Sequence, residues 1–235
     1  MIAAITISAQ ALAAVDLFVA LPPVALEEVA VSARVRRLAR ETRIFDQGAL
    51  AERAHALLDG SVGIFQSGSD GAQVIVRFIG PGETFGTIAL FTNRRYPAEA
   101  RTLTDALEVS WSEEELLRLM GRHAGIAMNV IRIIGRRLQE VQERVRELST
   151  QRVEQRVAHA VLRLARQAGH DTVDGTAIAF PLRRKDLAEI SGTTLHTVSR
   201  ILTAWEKAGL LLSDHQRLTI RNLVEIQRVA RDPAS

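Results

Sequence analysis

Residues 183–211, RRKDLAEISGTTLHTVSRILTAWEKAGLL, decide the reading of this chain. The spacing predicts two short helices joined by a glycine-centred turn. Leu187 and Ile190 give the first helix an apolar side. Gly192 stands where a sharp turn needs a positive φ, which a residue without Cβ adopts freely. Thr193 or Thr194 is suited to cap the second helix by accepting a bond from a free backbone N–H. In that helix Val198, Ile201, Leu202 and Trp205 recur at helical spacing and form the core side. His196, Ser199, Arg200 and Thr203 line the other side at i, i+3, i+4 and i+7. A guanidinium among short polar side chains suits the major groove, because it pairs bidentately with guanine O6 and N7. The pattern predicts a helix-turn-helix whose second helix reads DNA, against the plainer reading of a helix pair that only packs.

The flanking residues extend this unit. LLLSDHQRLTI after the second helix reads as a small hairpin around Ser213-Asp214-His215-Gln216, which makes the unit a winged helix. Arg217, with His215, is then set to meet backbone phosphate. Upstream, residues 152–167 read as a helix and 176–182 as a short strand, so residues 151–235 form one C-terminal domain.

Before it, Ala127, Ile131, Ile134, Leu138, Val141, Val145 and Leu148 alternate spacings of four and three, a heptad seam within a long helical stretch. Arg, Gln and Glu fill its other positions, so a matching helix from a second copy of the chain is the economical partner; packing against the preceding strands is the alternative. Residues 121–150 are read as a dimerisation helix. Residues 41–112 change character: short apolar or alternating runs (HALL, SVGIF, AQVIVRFI, ALEVSW) are separated by Gly, Asp, Asn and Pro, the pattern of short antiparallel strands. Asp59-Gly60 predicts a hairpin turn. Gly80, Gly82 and Gly86 mark further corners. Residues 15–40 look helical, with Leu17, Phe18, Leu21, Leu26, Val29 and Leu38 as packing positions and Pro22-Pro23 as a break. The apolar start, MIAAITISAQALAAV, lacks the basic opening of a signal peptide and reads as a short packing helix. The expected class is α+β: an antiparallel β-roll in residues 1–120, the long helix, then the winged helix-turn-helix.

Composition bounds the function. The chain has 235 residues, enough for two domains, and 47% of them are hydrophobic, as a globular protein requires. Its net charge of +3 hides an asymmetry. Residues 1–120 hold 11 Lys and Arg against 15 Asp and Glu, a net −4; residues 121–235 hold 19 against 12, a net +7. The basic excess lies with the half expected to meet phosphate. Cysteine is absent, which excludes disulfides, thiolate zinc and cysteine-bound iron–sulfur clusters and fits a cytoplasmic protein. No apolar run approaches the roughly 18 residues of a membrane span. There is no P-loop, no G-x-S-x-G elbow, no H-E-x-x-H and no reactive Cys, so nothing in the chain suggests an enzyme, and no metal site is assigned.

In this order the parts resemble the Crp/Fnr family of bacterial transcription regulators, from about Asp16 to Leu223. The resemblance rests on LLDGSVGIF (57–65), FIGPGETFGTIALF (78–91), the long helix and TLHTVSRIL (194–202). It implies a cupin-like, cyclic-nucleotide-binding-like sensory β-roll. It also implies a homodimer reading a two-fold symmetric DNA operator, and RNA polymerase as a further partner. By resemblance Arg200 is the guanine reader, Ser199 matches the Fnr-like branch, and Arg184, Thr194 and Thr197 align with phosphate-contacting positions. His196 departs from the usual Glu, which implies a different half-site, and Arg183 replaces the usual Ser or Thr cap. The family's effector pocket maps to Gly86, Thr87, Tyr96 and Pro97. Thr87 stands for the ribose-binding Glu, and Tyr96-Pro97 for the Arg-Ser that holds a cyclic phosphate. This speaks against cyclic AMP, unless Arg94 or Arg95 reaches in. Haem remains open as a cofactor, with His55 and His123 as the histidines near the sensory part, which leaves a haem-based gas sensor or a small-molecule binding protein of the same fold as the alternative function.

Overall fold

The computed structural model describes residues 7–68, 73–214 and 216–231. Contacts divide the chain into two units, Met1–Gly71 with Ile79–Glu140 and Ala72–Phe78 with Val141–Ser235.

The first unit opens with α1 (Ala9–Leu12), capped by Ser8, and α2 (Pro23–Val31), which starts on a proline at its first turn where no N–H is needed. Strands β1 (Arg34–Leu38), β2 (Arg43–Phe45), β3 (Arg53–Asp59), β4 (Val62–Ser67), β5 (Gln73–Ile79) and β6 (Thr84–Phe85) follow, then a single turn α3 (Thr87–Leu90), β7 (Glu99–Thr102) and β8 (Ala106–Ser112); of these, residues 73–78 of β5 group with the second unit. They form two four-stranded sheets, ordered β1-β8-β3-β6 and β2-β7-β4-β5. Leu57, Val62, Phe85, Ala100 and Ala106 come from both sheets and meet in one core between them. Side chains alternate across a strand, so β3 and β8 turn Ala54, Ala56, Val109 and Trp111 to the other face. There they join Leu12, Phe18, Leu26 and Val29 of the N-terminal segment. Trp111 packs edge-on against Phe18 and donates its Nε1–H to Val29 O at 2.9 Å.

Two expectations are corrected here. The helical reading of residues 15–40 fails at both ends: residues 13–20 are turns, and Arg34–Leu38 is an edge strand paired with β8 from Arg34↔Ser110 to Leu38↔Ala106. Its arginines need not be buried because one side of an edge strand faces solvent. Asp59-Gly60 does turn the chain, with Gly60 at φ +87 and its N–H bonded to the Asp59 carboxylate. It makes no hairpin, because β3 and β4 belong to different sheets. A Cβ on Gly60 would stand 2.3 Å from Asp105 O, so this corner requires glycine.

Helix α4 (Glu113–Arg122) begins with a capping box: Ser112 Oγ accepts from Glu115 N at 3.2 Å, and Ser112 N donates to Glu115 Oε2 at 2.7 Å. After a break at His123, α5 runs from Ala124 to Thr150. It carries two apolar stripes. Ile126, Val130 and Ile133 are buried in the core of the first unit, and Asn129 Nδ2 donates to Leu17 O and Val19 O. The predicted seam lies on another side and is exposed: Ile131 60%, Ile134 41%, Leu138 58%, Val141 60%, Val145 57% and Leu148 43%.

The second unit contains α6 (Val153–Ala168), β9 (Gly169–Thr172), β10 (Gly175–Ile178), α7 (Arg184–Ser191), α8 (Leu195–Lys207), β11 (Leu211–Asp214), β12 (Arg217–Ile220) and α9 (Leu223–Arg231). Its sheet is ordered β11-β12-β10-β9. The predicted strand 176–182 is shorter than expected, and β9 and α9 went unread. Glu147, near the end of α5, is buried and bonds Arg163 of α6 through both carboxylate oxygens at 2.8 Å.

Candidate nucleic-acid interface and the interior of the β-roll

The helix pair is built as its sequence dictates. Asp186 is buried at the start of α7, where it accepts from Arg183 N at 2.9 Å and from the Arg183 guanidinium at 2.6 Å. Asp186 thus supplies the N3 half of a capping box, bonding the N–H of Arg183, while no side chain takes the place of the missing Ser or Thr at the cap itself. Gly192 ends α7 at φ +61, ψ +47, and a Cβ there would stand 2.6 Å from Leu148 Cδ2. Thr194 caps α8 and accepts from Thr197 N at 3.2 Å. Val198, Ile201, Leu202 and Trp205 are buried, and Trp205 Nε1 donates to Glu154 Oε1 at 2.8 Å.

With that side buried, the other is presented outward. His196, Ser199, Arg200, Thr203, Ala204 and Lys207 line a groove of about 450 Å³. His196 and Arg200 are exposed, and among the described residues neither side chain makes a hydrogen bond or ion pair. Arg184 behaves differently: it lies 3.1 Å from Glu206 and within 3.5 Å of Ser199 O and Thr203 Oγ1, tying α7 to α8. Thr194 and Thr197 sit together at the start of α8. Arg217 is exposed on β12, and His215 lies outside the described residues.

The positions mapped to an effector pocket meet a crowded interior. Tyr96 is buried, stacked on Phe45 with ring centroids 3.7 Å apart, and donates its hydroxyl to Arg53 O at 2.9 Å. His55 stacks on Phe85 at 5.3 Å. Its Nδ1 lies 2.6 Å from Glu108 Oε1, so that nitrogen carries the proton and donates. Its Nε2 lies 3.3 Å from the Tyr96 hydroxyl. Glu108, fully buried, accepts on its other oxygen from Arg36 Nε at 2.7 Å. Burial pushes His55 below the usual histidine range despite Glu108, so the imidazole is neutral at pH 7. Burial opposes the charge on Glu108, yet hydrogen bonds from His55 and Arg36 outweigh it and hold that carboxyl below the usual carboxylate range. Gly86, at φ +73, passes beneath these rings. Thr87 is buried with its hydroxyl unbonded by protein. Arg94 pairs with Glu113 and Arg95 donates to Gly48 O, both from exposed positions.

A cyclic nucleotide brings a phosphodiester charge that must be matched when buried. The single hydroxyl of Thr87 does not match it, Pro97 has no N–H, and Arg36, Arg53, Arg94 and Arg95 are engaged elsewhere. These residues do not fit the group. For haem, each ring nitrogen of His55 already faces a protein partner, and His123 Nε2 lies 3.3 Å from Glu28. Sequence reading missed the His55–Glu108–Arg36 chain, because its members are 53 and 72 residues apart and only strand pairing joins them.

A β-roll followed by a long helix and a winged helix-turn-helix defines a transcription regulator of two-domain construction. Comparison with known proteins agrees. Residues 35–123 match the cyclic nucleotide-binding domain family, and residues 155–229 match the Crp-like helix-turn-helix domain. The chain is 30% identical over 204 residues to the cyclic AMP receptor protein of Thermus thermophilus, covering 86% of this chain and 91% of that protein. It is 28% identical over 193 residues to the nitrogen fixation regulation protein FixK of Azorhizobium caulinodans, covering 81% and 77%. The solved structure of FixK2 from Bradyrhizobium japonicum shares the fold, with a TM-score of 0.73 at 23% identity over 86% of this chain and 99% of that one. The chain belongs to the Crp/Fnr family of transcriptional regulators. As in that family, it is a DNA-binding regulator with an effector-binding domain, and the dimer is the family's typical state. No helix among the described residues is long and apolar enough to cross a membrane.

Proposed function

We propose that this regulator reads a palindromic operator through α8, with His196, Ser199 and Arg200 on base edges. Thr194, Thr197 and Arg217 meet phosphate, as does Arg184 from its place beside Glu206. Two copies join along Ile131, Ile134, Leu138, Val141, Val145 and Leu148. Residues 1–120 act as the sensory domain, 121–150 as the dimerisation helix and 151–235 as the DNA-binding domain. The protein works in the cytoplasm, has no catalytic activity, and meets RNA polymerase at the promoter.

One observation supports this reading above the rest. The apolar side of α8 is buried while Arg200 and His196 on the opposite side have no partner among the described residues. A guanidinium that neighbours do not hold is free to form the two hydrogen bonds that select guanine. The seam supports the two-fold arrangement, since exposed Ile, Leu and Val at heptad spacing gain by burial against their own copy. Selection from a random duplex library tests it. The expected product is a two-fold symmetric sequence with half-site centres about 34–36 Å apart; enrichment of no recurring sequence contradicts the proposal.

A further inference from the structure

The interior of the first unit departs from what its family membership suggests. Four rings, Phe45, His55, Phe85 and Tyr96, gather over the backbone of Gly86. A Cβ built on Gly86 would stand 3.1 Å from His55 Cδ2, 3.1 Å from Tyr96 Cε1 and 3.3 Å from Phe45 Cε1. Where even one methyl group is crowded, a purine ribose phosphate has no room unless the rings leave. The rings are also anchored. Tyr96 is held by stacking on Phe45 and by Arg53 O, and His55 by Glu108, which Arg36 holds in turn. Removing His55 from its place takes one of two partners from the buried Glu108 carboxylate, which opposes opening.

We propose that Phe45, His55, Phe85 and Tyr96 form a permanent plug inside the β-roll, so that this member of a cyclic nucleotide-binding domain family accepts no cyclic nucleotide. The chain Arg36–Glu108–His55 and the bond from Tyr96 to Arg53 O fix the plug, and the ring faces fill the space over Gly86. Charge points the same way. Arg36 bonds Glu108, Arg53 bonds Ser110, Arg94 pairs with Glu113 and Arg95 bonds Gly48 O, so none of these cations is free to meet a phosphodiester.

The test reads the ligand directly and does not depend on DNA binding. The full chain is titrated calorimetrically with cyclic AMP and, separately, cyclic GMP, and its melting is followed in each. A ligand that binds only the folded state raises the melting temperature, so at about 1 mM of either nucleotide no saturable heat and no shift are expected. Saturable binding of either nucleotide at one per chain overturns the proposal. A second arm tests the plug itself. Tyr96→Ala leaves a ring-shaped void that phenol, the excised ring, can refill. The expected result is a lowered melting temperature that phenol partly restores in the variant and not in the parent. A variant that melts like the parent, or equal stabilisation of both proteins, overturns the plug. If Tyr96→Ala yields no folded protein, Phe45→Ala with benzene is read in the same way, and the titrations of the unaltered chain decide in either case.

Discussion

Two polar regions of this molecule are built on opposite plans. Inside the β-roll, Arg36 and His55 bond Glu108 across three strands, and Tyr96, from the loop before β7, bonds Arg53 O. On α8, Arg200 and His196 bond to no side chain or backbone group among the described residues. A buried charge must be paired, because stranding it costs several kcal/mol. A charge meant for a partner binds more readily when it is unpaired, because an internal pair has to be broken before binding. The first arrangement serves the fold, and the second is the one proposed to serve recognition. The polar content of both regions is visible in the sequence, but only the pairing pattern tells them apart.

Breaking the inner chain is expected to have the largest effect on stability. Glu108→Ala removes the acceptor shared by His55 and Arg36 and should cost about 3–5 kcal/mol, as for other disrupted buried ion pairs. Urea unfolding measures it; a loss below about 1 kcal/mol means that the chain is not structural. The seam comes next. Leu138→Glu puts two like charges into the dimer contact and should give monomers in sedimentation. Losing the linked second half-site should then lower operator affinity on the order of 100- to 10,000-fold. An intact dimer would mean that the exposed stripe of α5 pairs with nothing in solution.

Glu83 allows a finer test of the rule that buried charge needs a partner. Burial chiefly, aided by Asp16 and Glu140 and opposed by the Gly80 N–H and Arg136, drives its pKa up to about 7. Arg137 lies 3.6 Å away but also serves Glu140 at 2.8 Å. The folded pKa exceeds the unfolded one, so the folded state holds its proton longer. The contribution from protonated Glu83 is complete below about pH 4.5 and lost as pH rises through 7. Glu83→Gln should flatten this dependence by up to about 3 kcal/mol across that window. Melting curves of both proteins from pH 5 to 8 give the answer, and parallel curves would show that Glu83 does not titrate there. The smallest effect is expected at the wing: Arg217→Ala should weaken all DNA about equally and reduce the salt slope by about one. A change in sequence preference instead would place Arg217 on bases.

The DNA-reading unit was legible because its signals are local. Gly192 at the turn, Thr194 at the cap and Val198, Ile201, Leu202 and Trp205 at helical spacing all fall within 14 residues, and each behaves as its chemistry predicts. The strands were legible as a class but not in their pairing, since Asp59-Gly60 looks like a hairpin and turns the chain from one sheet to the other. Strand β1 was hidden by its arginines, which read as the exposed side of a helix. The buried stripe of α5 was hidden by the exposed one: Ile126, Val130 and Ile133 lie one residue before Ala127, Ile131 and Ile134, about 100° around the same helix. The cap of α9, where Asn222 accepts from Glu225 N, is a local signal that a closer reading of the last 15 residues would have found. The plug over Gly86 had no local signal, because its rings come from four separate segments.

The base-reading role of Arg200 is the centre of the account. The direct measurement is a titration of the parent and Arg200→Ala against the selected operator and against operators altered at one guanine per half-site. The parent should discriminate by about 1–3 kcal/mol per altered pair. Arg200→Ala should bind all of these duplexes alike and remain a folded dimer. If Arg200→Ala keeps the parent's full discrimination, α8 does not read DNA through this face.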